Sequence, residues 1–116
     1  MKDIEFKLNS TDIHPNSEII GNIVVSYPGR YDGVVINTQI LDSNEHITYK
    51  SYNGKQISQN VSRLFINRNS MPEDKAEFSA LIKFEPTTEY EIKFRASIIE
   101  QHKEIESQII FAKYSV

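Results

Sequence analysis

Few side chains in this 116-residue sequence could do chemistry, and their spacing limits what they can do. Three histidines stand at His14, His46 and His102, each among turn-forming or charged residues. None has a second histidine two or four positions away, the spacings that bring two imidazoles to one face. Without cysteine, neither a thiolate metal site nor a disulfide framework can form. No metal and no cofactor are therefore expected. Nucleophilic catalysis needs a serine on a strained turn beside an orienting histidine. The four glycines, at 21, 29, 33 and 54, are too dispersed for a G-x-S-x-G elbow or a phosphate-cradling loop. Carboxylates such as Glu73, Asp74, Glu89 and Glu91 fall in turns or on alternating strand positions. None lies inside an apolar run, where desolvation would raise its pKa for acid catalysis. No catalytic residue is assigned, and the chain reads as a non-enzyme.

Two residue sets point to binding instead. Tyr27, Tyr31, Tyr49 and Tyr52 cluster in sequence and could stack against a sugar or another small ligand. Ile20, Val24, Val35, Leu41, Leu81, Ile99 and Ile110 fall at strand positions that alternation assigns to the solvent side. Scattered singly, such residues carry no message. Gathered on neighbouring strands, they would mark an interface for a homodimer or for another protein.

The elements that must position these residues are strands. Isoleucine occurs 17 times, against four leucines and four alanines. β-Branched side chains suit a pleated sheet and lose rotamer freedom in a helix. Most of the isoleucine recurs with a period of two, as in Ile4-Phe6-Leu8, Ile19-Gly21-Ile23-Val25 and Phe78-Ala80-Ile82. Turn signals separate the runs, among them Tyr27-Pro28-Gly29-Arg30 and Met71-Pro72-Glu73-Asp74. Tyr52-Asn53-Gly54-Lys55 is a type I′ hairpin signal, yet its flanks show no continuous apolar face. Residues 43–62 are accordingly read as an exposed hairpin or a partly irregular excursion. For the last two strands, a four-residue loop at 100–103 would set Ile98 opposite Ile105 and Phe94 opposite Ile109. That register puts Ile105, Ser107, Ile109 and Phe111 in the core. Seven or eight strands with turns every eight to twelve residues predict an all-β, two-sheet antiparallel sandwich.

A chain of this length suits a single domain, residues 1–116, by the usual ~100–200 residues per domain. The formal net charge is −3, neither half is basic, and no lysine–arginine run forms a stripe. Nucleic acid and anionic membrane surfaces are thus poor partners. No apolar run approaches the ~20 residues needed for a membrane span. The alternating charged N-terminus does not read as a signal peptide. A cytoplasmic location is expected, with the sequons at Asn9 and Asn60 unused.

Residues 13–25 and 31–36 carry a family resemblance. Ile13-His14-Pro15-Asn16-Ser17-Glu18-Ile19-Ile20-Gly21-Asn22-Ile23-Val24-Val25, followed by Tyr31-Asp32-Gly33-Val34-Val35-Ile36, resembles the arrestin N-terminal sandwich. There a Pro-containing turn leads into a strand with a central glycine, then a turn and another strand. Glu89-Tyr90-Glu91-Ile92-Lys93-Phe94 looks like a late strand of such domains. The resemblance implies an immunoglobulin-like fold and a scaffold or trafficking-type adaptor role, and it carries over no binding residue. The chain is expected to be a non-catalytic protein-interaction module. The alternative is a small-ligand or carbohydrate-binding sandwich using the tyrosine-rich rim.

Overall fold

Alternation of apolar and polar residues does build two packed sheets. The computed structural model describes residues 3–116. Its strands are β1 Ile4–Leu8, β2 Asp12–Ile13, β3 Ile19–Val25, β4 Gly33–Ile40, β5 Thr48–Tyr52, β6 Lys55–Asn60, β7 Arg63–Asn67, β8 Lys75–Leu81, β9 Tyr90–Glu100 and β10 Lys103–Tyr114. The first sheet has the order β1-β3-β8-β5-β6 and the second β2-β10-β9-β4-β7. Pairing is antiparallel except where the two-residue β2 runs parallel to Lys113 and Tyr114. Among the described residues ten strands form rather than seven or eight, because that short bridge and both arms of the 48–60 hairpin count separately.

Inward residues of the two sheets meet in one core. Phe6 reaches from β1 to Phe78 in its own sheet and to Phe94 in the other, with centroid separations of 6.2 and 6.5 Å. Tyr49 packs edge-on against Phe78 at 5.9 Å. Gly21 lies directly opposite Phe78 across the β3–β8 ladder. A Cβ there would meet the Phe78 ring at 2.2 Å, so only glycine leaves the ring room to lie over the strand. Phe84 falls after β8 rather than within it. It packs edge-on against Tyr114 at 5.2 Å, while the Tyr114 hydroxyl donates to the Phe84 carbonyl at 2.5 Å.

The expected irregularity at 43–62 resolves into a hairpin. Asn53 and Gly54 take φ of 46° and 83°, as a type I′ turn requires, and Tyr52 pairs with Lys55. Tyr49, opposite the buried Ala80, faces the core, and a register shift between Tyr49 and Ser51 leaves Lys50 as an extra residue while β6 remains an exposed edge. That inserted residue explains why no simple pairing gave a continuous apolar face.

The final hairpin departs from expectation in the same way. Its loop is the two-residue Gln101-His102, with φ of 51° and 65°, and Lys103 pairs with Glu100. Neither residue favours that region, but the 11- and 12-residue strands on either side over-determine the turn. A shift between Glu104 and Glu106 then leaves Ile105 as an extra residue. Ile110, not Ile109, sits opposite Phe94. Ile105, Ile109 and Phe111 are therefore exposed, whereas Ile110 packs on the core beside the buried Ala112 and Tyr114.

Overpacking of this kind of close contact costs about 1–3 kcal/mol. Gly21→Ala is expected to lower the stability of the domain by that amount in urea unfolding, while Gly54→Asn, at an open type I′ position, changes it little. Equal midpoints for Gly21→Ala and the parent chain would remove the Phe78 contact as a constraint.

Candidate functional site

The outer face of the second sheet interleaves exposed apolar side chains with charged ones. Along β7, β4, β9 and β10 its rows read Phe65-Val35-Ser97-Ser107, then Arg63-Asn37-Arg95-Ile109, then Gln39-Lys93-Phe111. Phe65, Ile109 and Phe111 are 41, 40 and 52% exposed. Among the described residues, the comparable one on the first sheet's outer face is Val24, while Val61, Ile105 and Val116 lie in a turn, at the bulge and at the terminus. Arg95 binds both carboxylate oxygens of Glu104, and Ser97 donates to Glu104 Oε1 at 2.7 Å. Those hydrogen bonds, from Arg95 first and Ser97 second, hold the Glu104 carboxyl below its ordinary pKa.

A groove of about 830 Å³ opens at one end of this face. The β3–β4 loop supplies Arg30, Tyr31 and Asp32, the edge strand β7 supplies Arg63, Phe65 and Asn67, and Arg68 and Asn69 follow it. Ile99 and His102 close it from the last hairpin. Tyr31 is buried and anchors the wall. Its hydroxyl donates to Asp74 Oδ1 at 2.6 Å, and the Arg68 guanidinium lies 4.5 Å from its ring centroid. Arg68 also faces Asp74 at 3.7 Å. Asn67 caps the short 3₁₀ turn Arg68–Ser70 by accepting from the Asn69 N–H at 2.8 Å, which fixes the path of the chain there. Among the described residues, no carboxylate lies within 4.0 Å of Arg30 or Arg63.

The two binding sets are divided by the fold. Val35 and Ile99 do lie on the second sheet's outer face, although Val35 is buried beside its cross-strand neighbour Phe65. Ile20, Val24 and Leu81 belong to the first sheet, Leu41 follows β4, and Ile110 points inward. The seven therefore form no single patch. The tyrosines likewise form no common platform. Tyr49 is fully buried, donating to the Ser62 carbonyl and sharing a hydrogen bond with Thr38 Oγ1, both at 3.0 Å. Tyr27 donates to Glu100, and Tyr52 packs on the core with Lys55 Nζ 5.7 Å from its ring. Sequence reasoning missed the three arginines because they come from separate segments and no run of positive charge announces them.

No protein-family model matches the chain, and no curated protein matches it in sequence. Several solved structures share its fold. The adhesin CfaE of enterotoxigenic E. coli, as the mutant G168D, aligns with a TM-score of 0.57 at 14% identity. The alignment covers 98% of this chain and 49% of CfaE, so the chain spans about half the length of that protein. AvmM, which catalyses macrocyclization in alchivemycin A biosynthesis, aligns at 0.54 with 9% identity over 97% of this chain and 88% of AvmM. The Salmonella adhesin SafD aligns at 0.50 with 12% identity over 99% and 100% of the two chains. These likenesses support an immunoglobulin-like β-sandwich at the level of fold, coarser than the arrestin resemblance implied. One architecture hosting adhesins and a macrocyclization catalyst leaves function to the site.

Burial, reinforced at Tyr31 by the Asp74 hydrogen bond, raises the pKa values of Tyr31 and Tyr49 well above the ordinary tyrosine range. A raised acid pKa in the folded state means stability is complete below the unfolded value of about 10 and is lost as pH rises beyond it. Urea midpoints should hold up to about pH 10 and then fall, with a shallower fall in Tyr31→Phe/Tyr49→Phe. Identical alkaline slopes in the two proteins would contradict these assignments.

Proposed function

We propose that this chain is a non-catalytic binding module of adaptor or scaffold type, cytoplasmic, that engages a protein partner with the outer face of its second sheet. One observation carries the reading: exposed Phe65, Ile109 and Phe111 share that face, whereas among the described residues the first sheet's outer face has Val24 as its one equally exposed large apolar side chain. Aromatic side chains and arginines are the groups that dominate protein–protein interfaces. Here they alternate, with Arg63, Lys93 and Arg95 between the apolar residues. The charges would confine the contact and discourage open-ended strand pairing.

The non-catalytic part rests on the placement of the titratable groups. His14 is occupied with the Ser115 carbonyl at 3.1 Å, and His46 and His102 stand at opposite ends of the second sheet's outer face. Glu104 is held on the ionised side, the reverse of what a general acid needs. The cysteine-free composition suits the reducing cytoplasm.

Affinity capture from the native host, followed by binding assays with each captured protein purified, checks the reading. A genuine partner should lose about tenfold or more in affinity to Ile109→Asp/Phe111→Asp, and little to Val24→Asp. A second copy of this chain counts as a partner, read by light scattering. Partners held equally by both variants would contradict the proposal.

A further inference from the structure

We propose that the groove bounded by Arg30, Arg63 and Arg68 receives an extended acidic peptide segment of a protein partner. This rests on the reading of the second sheet's outer face as the partner-facing surface, and it names the chemistry recognised at one end of it.

Charge is the first support. The chain as a whole is acidic, with a net charge of −3, yet three arginines, one from the β3–β4 loop and two from β7 and the turn after it, line this opening against a single lining carboxylate, Asp32. Asp74, the carboxylate behind the wall, is already engaged by Arg68 and the Tyr31 hydroxyl. Arg68 is thus held in place by its stack on Tyr31, while Arg30 and Arg63 have no carboxylate within 4.0 Å among the described residues. Exposed guanidinium groups without an internal partner are suited to bidentate capture of carboxylates.

Shape and backbone favour a peptide over a small anion. A volume of about 830 Å³ accommodates several residues, far more than one phosphate. Phe65 and Ile99 provide an apolar stretch between the charges, where a hydrophobic side chain of the peptide can rest. Arg63, Phe65 and Asn67 are the alternate, outward-facing residues of β7, which is the free edge of its sheet. Alternate N–H and C=O groups of that edge point away from β4 and can pair with an extended chain.

Titration of the ¹⁵N-labelled protein with the peptide acetyl-Glu-Glu-Phe-Glu-Glu-amide tests this by NMR. The expected result is a saturable shift of Arg30, Arg63, Phe65, Asn67 and Ile99 resonances, weakened by added salt. Arg30→Glu/Arg63→Glu, checked for an otherwise unchanged spectrum, should weaken binding about tenfold or more. Loss of all shifts with the acidic peptide overturns the inference. So does equal binding of the Gln-Gln-Phe-Gln-Gln analogue, indifference to the arginine substitutions, or displacement by inorganic phosphate at the peptide's own concentration. The parent reading fails separately: Ile109→Asp/Phe111→Asp would then leave partner affinity intact while the peptide titration still behaves as stated.

Discussion

One extra residue in the last strand governs the character of the whole second sheet. Because side chains alternate, a single insertion exchanges the faces of everything beyond it. Ile105 is that residue. Past it, Ile110, Ala112 and Tyr114 turn toward the core, and Ile109 and Phe111 turn to solvent. Without the insertion Ile110 would take the outward place opposite Lys93, while Ile109 and Phe111, two of the three exposed residues assigned here to a partner, would lie inward.

The same shift closes one side of the sandwich. Glu106 and Gln108 point toward β1, the edge of the first sheet, where Glu106 accepts from the Asp3 N–H at 2.6 Å and Gln108 from the Phe6 N–H at 3.0 Å. Side chains thus occupy backbone donors that an incoming strand would otherwise seek. Phe6 is held by these bonds at the junction where Phe78 and Phe94 meet. The bulge therefore couples three things: the seal along β1, the aromatic junction in the core, and the exposed apolar face. β6 and β7 are the opposite edge strands, and the arginine groove lies along β7.

Much of the fold was legible because period-two patterns are local. The faces of β3, β4 and β8 follow directly from Ile19-Gly21-Ile23, Val34-Ile36 and Phe78-Ala80, and Asn53-Gly54 announced its turn. Bulges were illegible, since an inserted residue at Lys50 or Ile105 leaves no compositional mark and is chosen by tertiary packing. Gln101-His102 hid its turn for a related reason, as two non-glycine residues were forced into positive φ by the strands around them. The site suffered most. Tyr31 and Tyr49 were visible as tyrosines, but only burial separates a structural hydroxyl from a stacking platform. Arg30, Arg63 and Arg68 become a set only when the β3–β4 loop and the end of β7 are brought side by side.

The pairing of β9 with β10 can be read directly from interstrand nuclear Overhauser contacts. Contacts linking Ile110 with Phe94, Ala112 with Ile92 and Ile109 with Arg95 are predicted, with the Phe111 ring free of contacts to core residues. Contacts linking Ile109 with Phe94 and Ile105 with Ile98 would place Phe111 in the interior. Ile109 and Phe111, two of the three exposed apolar residues on the second sheet's outer face, would then be lost, and with them the binding role assigned to it.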